Sequence, residues 1–160
     1  MKRTIAVTIV MLLGVAFMLP AQESRSVRRI GIPAKEVGYK FFSTQAIESQ
    51  AKLDVFLKEI EHQVWNDRPD FVKAIADAKI DFGKECLALI QYGPRSGSVR
   101  VRFGDVEVKN DTLVCSISQT FPLDQTDDLN YYCFALAVPK GKLKRIDVWH
   151  LANVLELDGK

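Results

Sequence analysis

Between residues 50 and 79 the apolar positions recur at helical spacing, and from residue 80 onward they recur at strand spacing. Leu53, Phe56, Leu57 and Ile60 share one helical face while Lys52, Asp54, Lys58, Glu59 and Glu61 take the other, the pattern of a helix that buries one side. This predicts a helix over about 50–63. Ser49 is its expected N-cap, because a serine hydroxyl can accept a hydrogen bond from an unpaired first-turn amide. The stretch Asn66-Asp67-Arg68-Pro69-Asp70 ends the helix, since proline disfavours helical geometry in the residue before it. Asp70 then caps a shorter helix in which Phe71, Ile75 and Ala78 share a face. Upstream, Tyr39–Phe42 reads as a short strand, and residues 22–38, broken by Gly31, Pro33 and Gly38, read as an extended or mobile lead-in.

After Lys79 the pattern is β. Ile80-Asp81-Phe82 leads into an apolar run over 86–92 that Gly93-Pro94 closes. Ser98-Val99-Arg100-Val101-Arg102-Phe103 alternates, as a strand with one buried and one wet face does. Val106-Glu107-Val108 continues the alternation beyond an expected bulge at Gly104. Lys109-Asn110-Asp111-Thr112 has turn composition and predicts a hairpin to a strand over 113–118. A polar loop over 123–130, an apolar run over 131–138, a turn at Pro139-Lys140-Gly141-Lys142 and a strand over 146–151 complete the chain. Short connections favour antiparallel neighbours. The expected fold class is therefore α+β, with two N-terminal helices packed on or beside an antiparallel sheet of five to six strands. A β-sandwich of the strands alone, with peripheral helices, is the alternative.

The N-terminus changes this picture by setting a compartment. Lys2 and Arg3 precede an apolar run from Ile5 to Leu19 and then Pro20-Ala21-Gln22, the layout of a cleavable signal peptide over 1–21. The run has 15 residues, short of the roughly 20 that a permanent membrane span needs. Retention as an anchor is the other reading of the same leader. An exported protein, periplasmic or extracellular, is expected, with residues 39–160 as its α+β domain and no membrane association after cleavage. The whole chain has 22 Lys and Arg against 20 Asp and Glu, but the leader takes two of the cations, so the remainder is balanced. Such a chain has no global attraction to phosphate backbones, and nucleic acid is not an expected partner.

Cys86, Cys115 and Cys133 each sit in a strand-like apolar run. They read first as small buried side chains, with a Cys115–Cys133 disulfide as the second reading and a metal or redox role as the third. Their number is odd, and no CxxC is present. His62 and His150 are the only two histidines, and neither falls in a metal-ligand spacing. No metal and no cofactor is expected. Gly93-Pro94-Arg95-Ser96-Gly97-Ser98 lacks the spacing of a nucleophile elbow or a phosphate loop and reads as an inter-strand loop. Asp81 and Glu85 could support carboxylate-dependent hydrolysis if the fold raised one pKa. That is the alternative to the leading reading, a non-catalytic module.

One surface invites binding. Arg100 and Arg102 fall on the same side of a regular strand, with Arg95 and Ser96 in the loop before them. Asp124, Asp127 and Asp128 crowd one later loop as an opposite-sign counterpart, and could equally pair with the arginines or hold calcium weakly. These seven residues are the candidate binding set, for an exported protein partner rather than a small ligand.

The run Ile80-Asp81-Phe82-Gly83-Lys84-Glu85, the apolar strand after it, Tyr92-Gly93-Pro94-Arg95-Ser96-Gly97-Ser98, and the closing Tyr132-Cys133-Phe134-Ala135-Leu136-Ala137-Val138-Pro139-Lys140 resemble the C-terminal domain of the PrcB protease-complex subunit family. The resemblance spans roughly residues 80–140. Where family members often carry a TGGY-like loop this chain has Ser96-Gly97-Ser98-Val99, which sets any loop-mediated contact apart. The resemblance implies a non-catalytic, β-rich module of exported proteins, at least one of which associates with a secreted protease, and it transfers no catalytic residues.

Overall fold

The computed structural model describes residues 26–94, 96–123, 126–141 and 143–155, the last six of these by backbone alone. The expected signal peptide, Arg95 and Asp124 lie outside the described residues. The described residues form an α+β fold, with two helices and two sheets. The strands are β1 (Arg28–Ile30), β2 (Gln45–Ile47), β3 (Glu85–Tyr92), β4 (Arg100–Lys109), β5 (Thr112–Phe121), β6 (Tyr132–Pro139) and β7 (Arg145–Leu155). The helices are α1 (Gln50–Glu61) and α2 (Arg68–Asp77).

Helix α1 forms where its period places it. The Ser49 side chain accepts from Lys52 N at 3.2 Å, and Leu53, Phe56 and Ile60 are buried. Helix α2 begins three residues earlier than expected, with Asp67 rather than Asp70 at its N-cap. Pro69 lies within its first turn, where the amide it lacks would have had no partner in the helix. Proline here opens the second helix as well as closing off the first.

Four strands form one sheet in the order β1-β6-β3-β2, and three form a second in the order β4-β5-β7. The four-stranded sheet is buried on both faces. Leu87, Leu89, Cys133, Ala135 and Ala137 pack toward the helices with Phe56, Phe71 and Ile75. Cys86, Ala88, Ile90, Leu136 and Val138 point the other way, onto Leu113, Cys115 and Ile117 of β5. That is why β3 and β6 read as unbroken apolar runs while β5 alternates: their side chains have apolar neighbours on both sides. Helices covering a sheet and a sheet-on-sheet sandwich are thus both present, as successive layers.

The strand number and pairing differ from expectation. The described residues form seven strands, and β5 pairs with β7 in parallel. The short connection that argued against parallel pairing is real, but β6 itself is the crossover, because it lies in the other sheet. Part of the expected lead-in is also built into the fold. Residues 28–30 form β1 on the edge of β6, and Tyr39 sits in a 3-10 helix, Val37–Phe41, rather than a strand. Tyr39 is fully buried, edge-on to Phe42, Trp65 and Phe71, and its hydroxyl donates to Pro33 O. The β4–β5 hairpin matches the sequence closely. Asn110 and Asp111 adopt φ of 47° and 65°, the left-handed pair that a tight two-residue turn needs, and the register slips between Phe103 and Val106 around Gly104.

Candidate functional site

Two loops singled out in the sequence meet in the fold. The buried Ser96 hydroxyl donates to Thr126 O at 2.6 Å and lies 2.9 Å from the Ser98 hydroxyl. Ser98 Oγ accepts from Thr126 N at 3.3 Å. Gly97 N donates to Asp128 O at 2.6 Å, and Asn130 Nδ2 donates to Asp128 Oδ2 at 3.0 Å. Lys35 completes the contact by donating to Gly97 O at 3.2 Å. Ser96 is therefore engaged in joining the two loops, and its polar atom is satisfied inside the protein. Side-chain hydrogen bonds from Thr126, then from Asn130, and the charge of Lys35 hold the Asp128 carboxyl below the ordinary aspartate range.

The arginines occupy a different surface. Arg100 and Arg102 are exposed on β4 while Val101 and Phe103 pack inward, so the alternation places both guanidinium groups on the outer face of the three-stranded sheet. Among the described residues Arg102 forms no ion pair with Asp127 or Asp128. Among the described residues Lys35 places a cation beside the aspartate loop, and the sequence pattern did not single it out.

That outer face has a definite composition. Register sets Arg100 beside Thr120, Arg102 beside Ser118, Glu107 beside Val114 and Lys109 beside Thr112. On the far side, Trp149 lies beside Ser116 and Asp147 beside Val114. A central column of hydroxyl side chains and one valine is thus flanked by charged residues on β4 and by Trp149 on β7. Trp149 is 63% exposed, and the column residues are half-buried.

At the seam between the sheets, Arg29 of β1 reaches β4. Its guanidinium stands 5.2 Å over the Phe103 ring and donates to Phe103 O and Gly104 O. Phe103 in turn stacks on Phe134 at 4.5 Å. A cleft of about 350 Å³ opens beside this contact, with Arg29 and Arg102 at an otherwise apolar lining.

The remaining chemistry-bearing residues are placed as follows. Cys86, Cys115 and Cys133 are free and buried. The Cys115–Cys133 bridge of the second reading is not formed, because Cys133 faces the helices and Cys115 faces the opposite side of the four-stranded sheet. Burial pushes the Cys115 thiol up to about 12 and raises Cys86 and Cys133 as well, which suppresses the reactive thiolate. Asp81 accepts from Gly83 N at 3.0 Å and pairs with Lys84 at 3.4 Å. Glu85 pairs with Arg28 at 3.4 Å. His62 caps the C-terminus of α1 and is exposed, while the side chain of His150 lies outside the described residues. Among the described residues no group of three His, Cys, Asp or Glu could hold a metal ion.

One carboxyl pair escaped the sequence reading. Glu36, at the start of the 3-10 helix, stands close enough to Asp67, the N-cap of α2, for the two carboxyls to interact. Desolvation, then the hydrogen bond and charge of Asp67, raise the Glu36 pKa. Thirty-one positions separate the two, and no local spacing announces the contact.

A scan against protein-family models and searches of curated proteins and of solved structures find no match to this chain.

Proposed function

We propose that this protein is an exported, non-catalytic accessory module that binds a protein partner through the outer face of the β4-β5-β7 sheet. The observation that carries the reading is Trp149, 63% exposed on a regular strand, with Arg102 two strands away across the same face. An indole left in water forgoes the burial that would stabilise it by a few kcal/mol. Trp and Arg are also the side chains that most often dominate protein–protein binding energy. The hydroxyl column between them offers hydrogen-bonding groups without bulk.

Export rests on the leader, and the protease-associated character of the partner rests on the resemblance to the PrcB family. The loop contact built from Ser96 and Asp128 supports the face indirectly by fixing the chain just before β4.

The test uses tagged protein purified from the exported fraction, with Trp149→Ala and Arg102→Glu as variants. A partner recovered in stoichiometric amount by the parent protein and bound at least about 30-fold more weakly by each folded variant, the loss expected of an interface hot spot, supports the reading. A partner whose affinity ignores both substitutions removes this face from the proposal. Hydrolytic turnover abolished by Asp81→Asn and Glu85→Gln would replace the non-catalytic reading altogether.

A further inference from the structure

Residues of the two helices line a groove between them. This open groove has a volume of about 610 Å³, within the range of small-molecule sites, roughly 300–1,000 Å³. Leu57 and Ile60 of α1 and Val72 of α2 form an apolar floor, while Lys58, Arg68 and Lys73 stand at the margins against a single acid, Glu61. Arg68 also donates to Ile60 O at 3.4 Å, which holds its guanidinium at the C-terminal end of α1. Neither Lys58 nor Lys73 has an ion-pair partner among the described residues. The groove follows α2 from Arg68 to Ala76, about 12 Å at a rise of about 1.5 Å per residue.

We propose that this groove binds a long-chain carboxylate, its alkyl tail on Leu57, Ile60 and Val72 and its head group among Lys58, Arg68 and Lys73. The excess of cations selects the sign of the head group. The apolar floor selects a tail over a small polar anion. The short length suits a single alkyl chain better than a partner helix, which would need several turns of contact to fix its register. This site lies on the helical layer and does not depend on the sheet face proposed above for a protein partner.

The test titrates the purified full chain with dodecanoate, by calorimetry, beside dodecanol and acetate. Saturable one-to-one binding of dodecanoate, with dodecanol and acetate each at least about tenfold weaker, is expected. Lys58→Glu combined with Lys73→Glu should weaken dodecanoate about tenfold or more, since each screened surface charge contributes up to about fivefold, and the remaining affinity should fall with added salt. Val72→Asp places a carboxylate in the floor and should abolish binding. Circular dichroism confirms that each variant is folded, and the surface lysine pair gives a readout even if Val72→Asp is not. Absence of dodecanoate binding at millimolar concentration overturns the proposal, as does binding indifferent to the lysine reversal. So does a groove that takes an acidic amphipathic peptide instead, or a dimer lost in Val72→Asp.

Discussion

Gly38 lies against the indole of Trp65 so closely that a β-carbon at position 38 would overlap its Cε3 atom. The 3-10 helix therefore enters the core at a point where only a hydrogen fits, and it carries Tyr39 with it. Gly38→Ala must displace Trp65 from its edge-on contact with Tyr39, 5.2 Å between centroids, and should destabilise the fold by about 3 kcal/mol or more, the scale of severe overpacking. Tyr39→Phe keeps the ring and removes only the bond to Pro33 O, so it should lose about 1 kcal/mol. Urea unfolding of both variants checks the order.

The Glu36–Asp67 pair makes stability depend on pH. Glu36 has its pKa raised above 4.5 by desolvation first and by Asp67 second. The folded state then binds more protons than the unfolded one, so stability falls as pH rises from 4.5 through the folded value and stays lower at neutral pH. Asp67→Asn removes the like charge and keeps a residue that caps helices well. It should stabilise the protein at about pH 7 by up to about 1 kcal/mol and do little at about pH 4, where Glu36 is already largely protonated. Thermal melts across that range give the comparison. An equal effect at both pH values would mean that the charge of Asp67 is not what matters.

The Asp128 carboxyl behaves in the opposite sense. Its pKa is lowered by the Thr126 hydrogen bond foremost, so its contribution is complete above 3.8 and is lost as pH falls through the still lower folded value. Acid should therefore loosen the Ser96–Thr126 contact. Amide exchange at Gly97 and Thr126, followed below about pH 4, should speed up in the parent and be already fast in Asp128→Ala.

All three thiols should resist modification in the folded protein, because each is buried with its pKa raised. Ellman's reagent should count no reactive thiol under native conditions and three after denaturation. Cys133→Ser places a hydroxyl in an apolar site and should cost about 1–3 kcal/mol.

Arg29 closes the edge of β4 at the bulge, with its cation over Phe103 and its donors on two backbone carbonyls. Arg29→Ala should lose about 1–2 kcal/mol and expose a strand edge that invites pairing between chains. Concentration-dependent association in size-exclusion chromatography is the expected sign. Arg29→Lys keeps the charge without the planar fork and should restore only part of the parent behaviour.

What could be read in the sequence was local. The Ser49 cap, the apolar face of α1, the Asn110-Asp111 turn and the slip at Gly104 each lie within a few residues of the atoms they govern. Pro69 misled because the same residue that ends one helix fits the first turn of the next. The pairing of Arg28 with Ala137 and the parallel match of β5 to β7 depend on which sheet β6 joins, and no spacing along the chain records that choice. The candidate site divided in the same way. Arg100 and Arg102 share a face because alternation is a local rule. Ser96 and Asp128 met through a loop contact whose cation, Lys35, lies far upstream, and Trp149 drew no notice because only the finished sheet leaves it uncovered.

The excursion of β6 into the opposite sheet interlocks the two halves of the β structure. Its neighbours there are β1, from the start of the described chain, and β3, while β7 can lie along β5 only after the chain returns. The β1-β6-β3-β2 sheet has no central partner for β1 until β6 is made, and the β4-β5-β7 sheet is completed only by the last segment, so the assembling chain stays open and pliable until most of it is present. A polypeptide threaded through a narrow channel meets the same requirement.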